Sequence, residues 1–260
     1  MSENKTITCK NCGAETSENY CSNCGQSTQV KRLDNRHLYH DIPLSVFNFE
    51  KGILFTIKSI IFHPIATIKE YLEGKRTKYY KPLSLLMLLT TIVFFINSYF
   101  NPTKKILKSA GIEIKKRDIE ATHFMQNHPN LFMLFIIPFM AYGFYLAFKK
   151  YKNNFAEHFY IVVFIQIFYL LIASIPNLII LNNVNIEGFA IYQMISFLFY
   201  PAFYFAFYYK QEPNKLKLLL KSIWGMLLNF IVIIALFITV SLIVILAIIL
   251  FKFAIKMMHL

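Results

Sequence analysis

Residues 226–251 contain no charged side chain and consist mostly of branched aliphatic residues and phenylalanine. A surface helix of a soluble domain keeps one polar face, whereas a helix that is apolar all round for roughly 20 residues matches the thickness of a bilayer. Similar apolar runs occupy 82–100, 131–148, 159–181 and 189–208, and the last one extends over about 222–251. In hydrocarbon only helices and closed barrels satisfy their backbone groups, and barrel strands need only about 9–11 residues. The expected fold class is therefore an all-α membrane protein with five transmembrane helices. The polar stretch 182–188 reads as a tight turn between the third and fourth, and the fifth run exceeds one hydrocarbon core, so it should tilt or extend into the interface.

The remaining polarity is concentrated at the front. Of 41 charged residues, 20 lie in 1–81. Three zones follow: 1–30 with all four cysteines, 31–81 basic and amphipathic, and 82–260 with the apolar runs. Residues 1–30 have no apolar core of a signal sequence, so the first span should act as its own insertion signal. With the N-terminus inside, cytosolic segments 1–81, 149–157 and 210–221 hold 19 Lys and Arg against 8 in 101–130, 182–188 and 252–260. The positive-inside rule thus predicts a cytosolic N-terminus and an external C-terminus. Lys104, Lys105 and Lys108, just after the first run, oppose that sum.

Residues 131–149 and 195–210 each place a proline (Pro138, Pro201) in an aromatic run that ends at a lysine. In the proposed topology both run from outside to inside. They are either a parallel repeat or two aromatic helices with ordinary kinks.

Cys9-x2-Cys12 and Cys21-x2-Cys24, eight residues apart, have the spacing of two knuckles that complete a tetrahedral Zn²⁺ site. Gly13 and Gly25 follow the second cysteine of each pair, where a permissive backbone is needed. Few apolar residues are present to fold this head. Ordering its backbone costs about 1–2 kcal/mol per residue, and structural zinc supplies about 10–16 kcal/mol. Zinc is thus the expected structural cofactor, with Cys9, Cys12, Cys21 and Cys24 as ligands. Four thiolates leave no open position for catalysis. Residues 1–30 also carry a net charge of −1, the wrong sign for nucleic acid.

Apolar residues recur at Ile53, Ile57, Ile60/Ile61, Ile65, Ile68 and Leu72, which is helical spacing. His63-Pro64 divides this stretch into two helices, with Pro64 in the first turn of the second and Gly74 as its stop. Each is too short to span, so residues 49–73 either lie in the inner interface or pack on the bundle. Lys75, Arg76, Lys78 and Lys81 then precede the first span and suit anionic headgroups. Tyr79 and Tyr80 sit where an aromatic belt would form. Together these suggest a rigid knob on a basic stalk.

The series Cys9-x2-Cys12…Cys21-x2-Cys24-Gly-Gln26, then Phe55-Thr-Ile-Lys…His63-Pro64…Ile68-Lys-Glu-Tyr71-Leu-Glu-Gly74-Lys75-Arg76…Tyr79…Pro82, resembles a family of uncharacterised bacterial multi-pass membrane proteins. These carry an N-terminal zinc ribbon and are known only as a domain of unknown function. The resemblance covers about residues 9–90 by motif and the rest by hydropathy. It implies the architecture, the four cysteine ligands and an inner-membrane address, and no activity.

No ionisable residue lies deep inside any span, although such a residue would be the first sign of a transport or proton path. Gln166, Gln193 and Asn229 are polar instead and are the candidates for a path between helices kinked at Pro138, Pro176 and Pro201. Glu157 and His158 adjoin at the mouth of the third span, but neighbours on a helix point about 100° apart and form no acid–base pair. His37, His40 and Asp41, and also His123 and His128, are weaker metal candidates. No nucleophile elbow, phosphate loop or HExxH motif appears, so an enzyme is unsupported. The sequence favours a non-catalytic platform that binds a protein partner or anionic lipid through its ribbon and basic helices. A small permease, as a homo-oligomer, is the alternative, and no nucleic-acid partner is expected.

Overall fold

The structure is a computed structural model and describes residues 6–36, 38, 52–100, 129–174 and 198–258. Among these are a two-stranded N-terminal sheet and seven α-helices. Strands β1 (Ile7–Thr8) and β2 (Glu15–Thr16) pair antiparallel around the first cysteine knuckle. The helices are α1 (Ile53–Phe62), α2 (Pro64–Glu73), α3 (Pro82–Phe100), α4 (Pro129–Ala147), α5 (Phe155–Tyr169), α6 (Phe199–Tyr208) and α7 (Lys215–Met258). A π-helical turn, Leu170–Ser174, extends α5.

The break between α1 and α2 falls at His63-Pro64, as the sequence predicts. Gly74 closes α2 in the left-handed region at φ 105°. Its N–H donates to the Tyr71 carbonyl and the Lys75 N–H to that of Glu70, which is a Schellman closure. Ile60 and Ile68 are fully buried, while Ile53, Ile57, Ile65 and Leu72 pack against the same core, so the predicted apolar face lies on the bundle. Tyr71 continues that face onto Tyr160 and Phe164 of α5, at ring separations of 5.6 and 5.3 Å. The opposite side exposes Leu54 (81%) and Phe62 (66%), two apolar residues the periodicity did not mark.

Ring contacts set the directions of the longer helices. Phe144 stacks on Tyr204 at 3.9 Å and 7°, and Phe148 on Tyr208 at 4.8 Å and 15°. Each step of four residues along α4 is matched by the same step along α6, so the two helices run parallel, as the repeat reading requires. His158 meets Tyr204, while Phe168 meets Phe199 and Phe203, so α5 runs antiparallel to both. Helix α7 is antiparallel to α4: Gly225 lies against Phe144, and Asn229 against Gly143. The starts of α5 and α7 and the ends of α4 and α6 consequently share one end of the bundle.

Two boundaries differ from the apolar runs. Helix α5 begins at Phe155 rather than 159, because Asn154 and Glu157 form a reciprocal capping box. Helix α7 begins at Lys215 rather than 222, with the Asn214 side chain accepting from the Lys217 N–H. Helix propensity and capping carry both helices into polar sequence that a hydropathy reading assigns to loops. Helix α4 continues through Pro138.

Among the described residues, two helices, Phe155–Ala173 and Lys215–Ala247, are long and apolar enough to cross a membrane. They differ in setting: α5 is mostly enclosed by other helices, whereas α7 packs on α4 as far as Asn229 and exposes most of its apolar length beyond it.

The α4–α7 crossing is built on missing side chains. A Cβ on Gly143 would lie 1.9 Å from Asn229 Oδ1 and 2.9 Å from its backbone nitrogen, and one on Gly225 2.6 Å from the Phe144 ring. Glycine inside a helix costs roughly 1 kcal/mol against alanine, which the close approach offsets. Gly143→Ala should thus destabilise by about 1–3 kcal/mol through overpacking, despite better helix propensity. The check is a lowered denaturation midpoint in detergent, with an exposed helical site such as Thr239→Ala as control.

Candidate metal centre and its seat on the bundle

The two cysteine knuckles are near copies. The Cys9 N–H donates to the Ala14 carbonyl and the Gly13 N–H to that of Cys9; Cys21, Gln26 and Gly25 repeat the pattern, all at 2.8–2.9 Å. Gly13 and Gly25 adopt φ 78° and 71°, which lets each chain turn back beneath its sulfurs. A Tyr20–Ser27 bridge closes the second knuckle.

The four Sγ atoms lie within 4.8 Å of one another. The Cys9–Cys24 and Cys12–Cys21 pairs are 3.5 Å apart, too far for disulfides. Tetrahedral Zn–S bonds of about 2.3 Å imply sulfur separations near 3.8 Å, so the cluster suits a metal ion such as zinc. Its electrostatics agree. Backbone N–H donors from Cys12 and Asn11 lower the Cys9 thiol, and the Ala14 N–H holds Cys12 at about 6. Burial pushes Cys24 up to about 11. Backbone donors thus favour the thiolate form at two of the sulfurs and burial disfavours it at a third, where a divalent cation would favour it.

The head is not held away on a stalk. Gln26, two residues beyond the last cysteine, is almost fully buried, and its Oε1 accepts from the backbone N–H groups of Arg76 and Thr77 at 3.0 and 3.2 Å. The Thr77 hydroxyl adds a third donor at 3.1 Å. Lys10 and Val30 close over Gly74, where a Cβ would meet both at 3.2 Å. The head therefore sits on the α2–α3 loop.

A second attachment follows at once. Arg32 donates through Nε and Nη2 to the two oxygens of Glu157, at 2.6 and 2.8 Å. Its Nη2 also reaches the Lys152 carbonyl. Glu157 is only 4% exposed, and it further accepts from Asn153 Nδ2 and the Asn154 N–H. Asn154 Nδ2 donates to the Leu33 carbonyl at 2.7 Å. Residues 30–34 thus strap the ribbon to the α4–α5 loop. The three segments that the charge count assigned to one side meet here, since Lys221 of α7 also lies over the Tyr151 ring at 4.9 Å.

The segment before α3 is more enclosed than a headgroup patch. Lys75 and Lys78 pair with Glu70 at 3.2 and 2.5 Å, and the Tyr79 hydroxyl donates to the same carboxylate at 2.5 Å. Tyr79 and Tyr80 are buried, and the Tyr80 N–H donates to Thr56 Oγ1 at 2.7 Å. Arg76 bonds the Lys31 carbonyl, and Lys81 remains exposed.

The candidate path residues have separate neighbours. Gln166 accepts from the Tyr200 hydroxyl at 2.5 Å, and buried Asn229 faces Gly143. Gln193, Pro176, His37, His40, Asp41, His123 and His128 lie outside the described residues. Glu157 and His158 do point apart, to Arg32 and to Tyr204. Arg32 and Asn154 were not singled out from the sequence, and Gln26 stood there only as the last residue of the cysteine motif, with no role attached. The one local signal was Asn154-x-x-Glu157, a capping pattern just before an apolar run.

Residues 50–94 match a family described as "Protein of unknown function (DUF3667)". The match covers α1, α2, the loop that receives Gln26 and most of α3. No curated protein and no solved structure matches the chain.

Two outcomes follow. Gln26→Ala leaves three donors without an acceptor and should cost about 1–3 kcal/mol. Hydrogen exchange at residues 76–77 should accelerate while the bound zinc per chain stays unchanged. Glu70 is held at about 2, first by Lys78, then by Tyr79 and Lys75. Because this carboxyl is lowered on folding, its contribution is complete above its ordinary value and is lost as pH falls toward 2. Denaturation midpoints should drop more steeply between pH 5 and pH 2.5 for the wild type than for Glu70→Gln.

Proposed function

We propose that the protein is a multi-pass component of a bacterial inner membrane with five spans, a cytosolic N-terminus and an external C-terminus. Its zinc-stabilised head serves as a non-catalytic binding platform. The observation that carries this reading is the docking of the four-cysteine head, through Gln26 and Arg32, onto the end of the apolar helices where the basic segments gather. A rigid, positively charged surface held at a membrane face suits a protein partner or an anionic leaflet. Zinc supplies folding energy to a head with little apolar surface, and four thiolates fill its coordination sphere. The exposed apolar length of α7 suits lipid around it, since a soluble protein would bury such a helix.

The test has two parts. Reporter fusions should place residue 1 in the cytosol and residue 260 outside; a cytosolic C-terminus would overturn the five-span topology. Crosslinking in native membranes should recover proteins or anionic lipids that are lost from Cys21→Ser, in which the head unfolds. The same set of contacts from Cys21→Ser at equal abundance would remove the head from the function.

A further inference from the structure

Beside the docked ribbon is an open cleft of about 590 Å³. Its wall is assembled from segments far apart in sequence: Arg32 from the strap, Lys69 and Glu73 from α2, Lys150 and Lys152 from the α4–α5 loop, and Phe207 from the end of α6. Four cationic residues thus line one cavity. Of the two carboxylates there, Glu157 is already engaged by both arms of Arg32 and by Asn153. What remains is Lys69, Lys150 and Lys152 against Glu73 alone.

Helix ends explain part of this charge, because cations gather near C-terminal carbonyls, and Lys150 follows α4 as Lys210 follows α6. They do not explain Lys69, which projects from α2. Its ammonium sits 5.3 Å from the Phe207 ring centroid and has no carboxylate within ion-pair distance among the described residues. Burial and the nearby Lys210 both disfavour its charge, and Glu73 offsets them only in part. Such a lysine is held at a cost that an anionic ligand would relieve. Gln211 adds an amide group, and Tyr151 and Phe207 add ring surface, so the wall can also hold a neutral body attached to the anion. The volume lies within the range of small-molecule sites, roughly 300–1,000 Å³, and exceeds what inorganic phosphate alone would fill.

We propose that this cleft is a binding site for a phosphate-bearing ligand, with Lys69, Lys150 and Lys152 contacting the phosphate oxygens. The phosphate belongs either to a phospholipid headgroup entering from the adjoining leaflet or to a free phosphate ester from the aqueous side. The site rests on the platform reading only for the side of the membrane it faces. Binding by purified protein does not depend on that reading, so loss of one leaves the other standing.

The experiment uses the full chain loaded with zinc, with glycerol 3-phosphate and inorganic pyrophosphate as soluble probes. Nanodiscs of phosphatidylglycerol, against phosphatidylcholine, are the lipid probe. Saturable binding of a soluble probe, weakened about tenfold or more in Lys69→Gln and in Lys150→Gln/Lys152→Gln, supports the site with a free phosphate ester as ligand. Preference for phosphatidylglycerol alone, lost in the same variants, supports it with a lipid ligand. Lys152→Gln keeps the backbone carbonyl that Arg32 uses, so it preserves the strap, and zinc content verifies the fold of each variant. Binding that is absent with all probes, or equal in the wild type and the lysine variants, overturns the proposal. Variants of Lys75 and Lys78 should leave cleft binding unchanged, and a loss there equal to that of Lys69→Gln would also overturn it.

Discussion

The carboxylate of Glu157 is nearly out of solvent, and the polar end of the molecule is organised around it. Removing an ionised carboxylate from water is expensive unless its oxygens are filled and its charge is paired. The α4–α5 loop supplies Asn153 and the Asn154 N–H, but neither carries charge. The cation comes from the ribbon strap, 125 residues earlier in the chain. Bidentate pairing by a guanidinium fixes direction as well as distance, so Arg32 sets where the strap lies. With the strap in place, Gln26 is presented to the loop between α2 and α3. The head, the two short helices and the bundle end are then one packed unit, and each covers polar groups the others would leave unpaired.

Behind that polar end the bundle is joined by rings and by gaps. Phe144, Phe148, Tyr204 and Tyr208 form a ladder between two parallel helices. The intervening α5 is buried on nearly all sides and contributes His158 to the same stack. On the other flank, Gly143 and Gly225 let α4 and α7 approach until side chain meets backbone. Large rings on one seam and absent side chains on the other are two solutions to one requirement. Interiors pack at close to crystalline density, so both seams depend on matched shape.

Much of this was legible from local pattern. The uncharged runs marked the long helices, and the break at His63-Pro64 and the stop at Gly74 fell where steric rules put them. The cysteine spacing marked a metal cluster because four sulfurs at that interval have few other uses. Periodicity named the face of α1 and α2 correctly but could not name its partner, since an apolar stripe fits a lipid surface and a helix bundle equally well. For the same reason Tyr79 and Tyr80 read as a membrane-facing pair, whereas they are buried against Glu70 and Thr56. Hydropathy also placed the starts of α5 and α7 too late, because capping by Asn154 and Asn214 extends a helix into charged sequence.

Local pattern dictated the class of helices, the sulfur cluster and the gathering of the basic segments. Each of these rests on composition, or on spacing within a few residues, where backbone geometry leaves little choice. What the head rests on was settled by packing across the whole fold. Gln26 and Arg76, or Arg32 and Glu157, are joined across 50 and 125 residues by side-chain hydrogen bonds. No periodicity encodes such a pair, because its members need not share a helix face or a strand register. They meet only when the surrounding helices have packed and buried polar groups must find partners.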